Sequence, residues 1–128
     1  MKRDGMLSAG IAAAMLLTAT AALAEWRLVG ERQVNDRAET DTITLGGSAH
    51  YQRIRVCAYR HPVHIIDVDV HFRNGGHQDV ALAARLNAGG CSRAVDLDGG
   101  SRDIERIVMR YEETSRRRAR ATVRVFAE

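Results

Sequence analysis

YQRIRVCAYRHPVHIIDVDVHFR, residues 51–73, alternates apolar and polar side chains with a period of two on both sides of Arg60-His61-Pro62. That period belongs to a half-buried β-strand, whose successive side chains point to opposite faces. The stretch therefore predicts two strands, 51–59 and 63–73. Folded as a hairpin, it places Arg55 opposite Asp67, Arg53 opposite Asp69 and Tyr51 opposite His71. Val56 then meets Ile66, and Ile54 meets Val68. One register puts opposite charges on one face and apolar residues on the other, and a one-residue slip would reverse both faces.

Working outward, the same alternation marks strands near 26–34, 41–45, 78–86, 92–97, 103–112 and 117–126, about eight in all. Gly-Gly pairs at 46–47, 75–76, 89–90 and 99–100 punctuate them, as expected where turns need positive backbone angles. In RDIERIVMRYEE, Ile104 cannot share a face with Ile107, Met109 and Tyr111 without one extra residue, which predicts a β-bulge near Glu105 and Arg106. In RARATVRVF, Ala119, Ala121, Val123 and Val125 face inward and the arginines outward. DVALAARLNAGG, from Asp79, is the segment closest to a helix and keeps that alternative. The fold expected is all-β, a single antiparallel β-sandwich.

The first 24 residues read differently. Lys2 and Arg3 precede an apolar run from Met6 to about Leu23 that ends in Ala22-Leu23-Ala24, the small-x-small pattern of a signal-peptidase site. Residues 1–24 are expected to be a helical signal peptide cleaved after Ala24, with the β-sandwich domain over 25–128. An uncleaved anchor is the alternative, but the run is rich in Ala, Thr and Gly. The protein is thus expected to be periplasmic or secreted, with no membrane span after cleavage.

The chain carries 19 basic and 16 acidic residues; setting aside Lys2, Arg3 and Asp4 leaves 17 and 15. So small an excess does not imply nucleic acid as a partner. Past the leader every cation is arginine. Cys57 and Cys91 would meet in an oxidising compartment, where a disulfide can close; they do not form a CxxC redox motif.

Several candidate sites are set against plainer readings. Asp67, Asp69 and His71 point the same way along one strand, near His61 and with His64 on the other face, a set able to hold a divalent ion. The hairpin register gives the aspartates arginine partners, so no metal is expected. DLDGGS, 96–101, resembles the start of a calcium loop, yet Ile107 stands where the closing Glu belongs. SRRRAR, 115–120, reads as a solvated hairpin, with anion binding by Arg116, Arg117, Arg118 and Arg120 as the alternative. Ser48, Ser92, Ser101 and Ser115 lack a GxSxG setting. No catalytic residue and no cofactor are expected.

A longer pattern joins Trp26-Arg-Leu-Val-Gly30, Asp41-Thr-Ile43, Arg53-Ile-Arg-Val56, Val70-His-Phe-Arg-Asn74-Gly75 and SRAVDLDGGSRDIERIVMRY from Ser92 to Tyr111. It resembles an uncharacterised family of small exported bacterial proteins, in which W-x-x-L-G opens the domain and S-R-x-I-D-L-x-G-x-x-R-x-I-x-x-V-x-x-x-Y closes its centre. Val29, Val95 and Ile107 replace Leu, Ile and Val of that pattern. The resemblance implies a β-sandwich and an extracytoplasmic address, without an activity. The resemblance's recurrent positions imply Trp26 and Tyr111 as core anchors, and spacing casts Asp96 and Arg102 as a pair bracing the Gly99-Gly100 turn. The function expected is a non-catalytic binding or structural module of the cell envelope. The alternative is an arginine-surfaced module that binds anionic envelope components or an acidic protein.

Overall fold

The structure is a computed structural model that describes residues 25–35, 38–47, 49–113 and 120–128. Its strands are β1 (Arg27–Gln33), β2 (Ala38–Thr44), β3 (His50–Tyr51), β4 (Arg53–Tyr59), β5 (Val63–Phe72), β6 (His77–Val80), β7 (Ala84–Leu86), β8 (Val95–Asp96), β9 (Arg102–Glu113) and β10 (Thr122–Ala127). They form two antiparallel sheets. Sheet A has the order β1-β10-β4-β8, and sheet B has β2-β9-β5-β6 with β3 on β9 and β7 on β5. The described residues contain no helix, so the helical alternative for 79–90 is excluded. That segment instead gives β6 and β7, separated by Ala83 at φ 43°.

The alternating residues meet between the sheets. Ile54, Val56 and Ala58 of β4 and Val123, Val125 and Ala127 of β10 face Val63, Ile65, Val68, Val70 and Phe72 of β5 and Ile104, Ile107, Met109 and Tyr111 of β9. Every side chain in this group is at most 4% exposed, and no polar or charged residue is buried with them apart from the Tyr111 hydroxyl. Burying each Val, Ile or Phe contributes about 1.5–3 kcal/mol, so this interface is the main stabilising term.

The hairpin register expected for 51–73 is not formed. β4 pairs with β10 and β8, whereas β5 pairs with β9, β6 and β7. The Arg60-His61-Pro62 connection crosses from one sheet to the other, with Arg60 in the left-handed region at φ 75°. Alternation identifies the inward face of each strand but not its neighbour. Two alternating strands can be slid into an apparent register whether they pair side by side or face each other across a core. The charges find other partners: Arg53 meets Glu128 at 3.3 Å, Asp67 meets Arg110 at 3.9 Å, and Asp69 meets His71 and His77 at 2.9 and 2.8 Å.

The bulge on β9 is present. His71 opposes Arg106 and Phe72 opposes Ile104, leaving Glu105 as the extra residue. A second bulge lies on β5, where Ile65 opposes Tyr111 and Asp67 opposes Arg110, so Ile66 is the extra residue. It moves the inward set from Val63 and Ile65 to Val68, Val70 and Phe72. His64 therefore lies on the same outer face as Asp67, Asp69 and His71, not on the other.

Two links fasten the sandwich beyond its core. Cys57 and Cys91 form a disulfide, with their Cα atoms 3.9 Å apart. It holds the chain after β7 against β4, where Ser92 N donates to Val56 O at 2.7 Å and Ser92 Oγ accepts from Val56 N at 3.0 Å. Gln78 of β6 joins the sheets: its Nε2 donates to Asp96 O at 3.0 Å, and its Oε1 accepts from Asp98 N at 2.8 Å.

Candidate functional site

The outer face of sheet A gathers arginines and aromatic rings. β4 turns Arg53, Arg55 and Tyr59 outward, and β10 beside it turns out Thr122, Arg124 and Phe126. β1 adds Leu28 opposite Phe126 and Glu31 opposite Arg124. The Arg55 guanidinium lies 4.7 Å from the centre of the Trp26 ring and 5.6 Å from that of Phe126. Arg124 lies 4.4 Å over Tyr59. These are cation–π distances, and arginine's planar fork suits them.

The three arginines differ in their acidic partners. Arg124 Nε donates to Glu31 at 3.0 Å, and this hydrogen bond pushes its pKa above the usual arginine range. Arg53 Nε lies 3.3 Å from Glu128 and 4.0 Å from Asp96, although its angle to Glu128 does not make a hydrogen bond. Among the described residues, Arg55 has no carboxylate within ion-pair reach, and its Nε is buried without a hydrogen-bond partner. Its charge is directed outward between two rings. At one end of this face, Glu31, Gln33, Tyr59, Arg60, Thr122 and Arg124 line an open cleft of about 400 Å³.

Other residues of the recurring pattern sit away from this face. A Cβ on Gly30 would stand 2.3 Å from Ile43 Cγ2, so the glycine permits β1 to close over β2. Tyr111, fully buried, donates its hydroxyl to Asp41. Burial first, and that hydrogen bond second, raise the phenol's pKa above its ordinary 10.0. Arg102 lies 3.6 Å over Phe72 and donates to Asp98 O at 2.8 Å and Asn74 Oδ1 at 3.1 Å. These residues of the pattern thus describe how the sandwich closes.

Two of its expected roles change. Arg102 braces the 98–101 turn through the Asp98 carbonyl, while the Asp96 side chain, 88% exposed, lies toward Arg53. Trp26 is half-buried on the outer face beside Arg55, outside the apolar core. Arg120 is exposed, and Arg116, Arg117 and Arg118 lie outside the described residues.

On sheet B the outer face carries Asp69 between His71 and His77, whose rings stack with centroids 5.4 Å apart. Arg106 Nη2 lies 3.2 Å from His71 Nδ1, and His71 Nε2 lies 2.9 Å from Asp69 Oδ2. Among the described residues, no three His, Cys, Asp or Glu side chains stand where they could hold a metal ion. At the sandwich end, His50, Arg73, Asn74, Ser101, Arg102 and Asp103 line a cleft of about 340 Å³. Arg73 is occupied there by Asp103 at 3.2 Å and by the carbonyls of Leu45 and Ile104 at 2.8 and 3.3 Å.

Sequence reasoning missed the arginine–aromatic face, although its parts were visible. The outward set of RIRVCAY is Arg53, Arg55 and Tyr59, and that of TVRVFA includes Arg124 and Phe126. What the sequence lacks is the pairing of β4 with β10, which brings the two sets side by side.

The family described as Domain of unknown function (DUF2541) matches residues 9–127. No curated protein matches the chain. Among solved structures the chain is similar to one of Pseudomonas aeruginosa AlgX, at 12% identity and a TM-score of 0.48 over 84% of this chain and 27% of that one. The chain spans about a quarter of AlgX's length, and a likeness so remote carries no function.

Proposed function

The chain belongs to that family of unknown function, and from this premise we propose that it is an exported, non-catalytic binding module of the cell envelope. Its working surface is the outer face of sheet A. The observation that carries this reading is Arg55, a cation held between Trp26 and Phe126 with no acidic partner among the described residues. The described core is apolar, and this charge stands outside it. Export with cleavage after Ala24 belongs to the same reading. Among the described residues no helix is long and apolar enough to cross a membrane.

The test is sedimentation with an isolated bacterial envelope fraction. Protein carrying Arg55→Gln and Trp26→Ala should keep its thermal midpoint within a few degrees and lose co-sedimentation. Unchanged co-sedimentation would remove sheet A from the account. N-terminal sequencing of the exported protein should begin Glu25-Trp26; a chain that still begins at Met1 in the envelope would overturn the cleavage.

A second reading has its own support. Arginine bound to aromatic faces, with its fork free, suits a carboxylate or phosphate, so the partner is an anionic envelope component or an acidic protein. Binding of that kind weakens steeply with salt, and salt-independent retention would exclude it.

A further inference from the structure

Leu28, Phe126 and Arg55 stand directly opposite one another across three neighbouring strands, β1, β10 and β4. Trp26 covers the Arg55 end of this row. Leu28 is 51% exposed, the exposed large apolar side chain among the described residues, and Trp26 and Phe126 are partly exposed beside it. β1 is the edge of sheet A, so the row reaches the rim of the sandwich. Arg27, between Trp26 and Leu28, is exposed as well.

An aqueous anion would use Arg55 and gain nothing from Leu28 or Trp26. The boundary between lipid headgroups and acyl chains takes both kinds of group. Tryptophan and leucine bury their apolar bodies there, and arginine keeps its fork at the phosphates. Each arginine near an anionic bilayer adds about fivefold to affinity. The neighbouring arginines, 53 and 124, are already matched by Glu128 and Glu31, which leaves the apolar end of the face as its cationic end.

We propose that the Trp26–Leu28–Phe126–Arg55 row docks the protein peripherally on an anionic phospholipid bilayer. Arg55 takes a headgroup phosphate, and Trp26 and Leu28 enter the headgroup–acyl boundary. This deepens the reading of sheet A as the working surface and rests on it.

Trp26 is the sole tryptophan of the chain, so its fluorescence reports on the surface itself. Protein purified in the form that export leaves is mixed with phosphatidylglycerol/phosphatidylcholine vesicles, with phosphatidylcholine vesicles, or with inorganic phosphate. The expected result is a blue shift of emission with the anionic vesicles, reversed by roughly half-molar salt, where the Debye length is only a few ångströms. Arg55→Gln should weaken the apparent affinity about fivefold. Leu28→Asn, at an exposed position, should weaken it about as much while keeping the thermal midpoint, and it serves alone if Arg55→Gln fails to fold.

No shift with anionic vesicles, an equal shift with neutral ones, or an equal shift with phosphate overturns the bilayer as occupant. So does a shift that grows with protein concentration and needs no vesicles, which would assign the row to a second copy of the chain. If vesicle binding fails while Arg55-dependent envelope co-sedimentation persists, only the lipid is wrong. If both fail, the sheet A reading falls too.

Discussion

The guanidinium of Arg55 lies 4.7 Å over the ring of Trp26, although 29 positions separate the two residues in the chain. They are brought together because β1 and β4 flank β10 in sheet A. The contact sits on the outside of the sandwich, whereas Gly30, Asp41, Tyr111 and Arg102, other residues of the recurring pattern, hold the sandwich closed. Stability and the proposed binding therefore rest on different residues, and substitutions can separate them.

Gly30→Ala is expected to destabilise the protein by about 1–3 kcal/mol, because the added methyl would meet Ile43 Cγ2 at 2.3 Å in a packed interface. Chemical denaturation measures it. Pairing the change with Ile43→Ala should cost less than the two single effects added together. A neutral Gly30→Ala would show that β1 does not close on β2 as described.

Reduction of the Cys57–Cys91 bridge opens a loop spanning 34 positions. Its loss should lower stability by about 3–4 kcal/mol by freeing the unfolded chain. Unfolding curves with and without a thiol reductant, alongside Cys57→Ala/Cys91→Ala, test this. Coincident curves would mean that the thiols do not meet in solution.

Tyr111 makes stability depend on alkaline pH. Its phenol has a raised pKa in the folded state, so the stability it contributes is complete below the ordinary value of 10.0 and falls as pH rises toward the folded value. Stability measured above pH 10.0 should decline for the parent, and Tyr111→Phe should remove that share of the decline. At neutral pH the same change should cost about 1–2 kcal/mol through the lost bond to Asp41. An alkaline profile identical in both proteins would contradict this.

Arg102→Ala should destabilise by about 1–3 kcal/mol, losing the stack on Phe72 and the bonds to Asp98 and Asn74. Arg102→Lys should recover little, since an ammonium cannot both stack and bridge two acceptors as a planar fork does. If Arg102→Ala left the thermal midpoint unchanged but abolished envelope binding, the motif would be a binding site after all.

How much of this was legible in the sequence follows from what a period of two can say. It identified the inward residues of β4, β9 and β10, and the misfit of Ile104 with Ile107 located the extra residue at Glu105. It could not say that Arg60 carries the chain across to the other sheet. The bulge at Ile66 was hidden because Ile65 and Ile66 are both apolar, and either can be taken as the inward one. Trp26 lies outside the core that its recurrence in the pattern implies for it, beside Arg55, a residue that no local pattern connects with it. The candidate site was missed for the same reason, since it exists only once β4 and β10 are neighbours.

The most direct test of the central claim compares two double variants of equal net charge on an anionic chromatography matrix. One is Arg53→Gln/Arg55→Gln on sheet A, and the other is Arg116→Gln/Arg118→Gln in the 115–120 run. If sheet A is the working surface, the first elutes at clearly lower salt than the parent and the second close to it. Elution of the second at lower salt than the first would contradict the account and return the function to the arginine run.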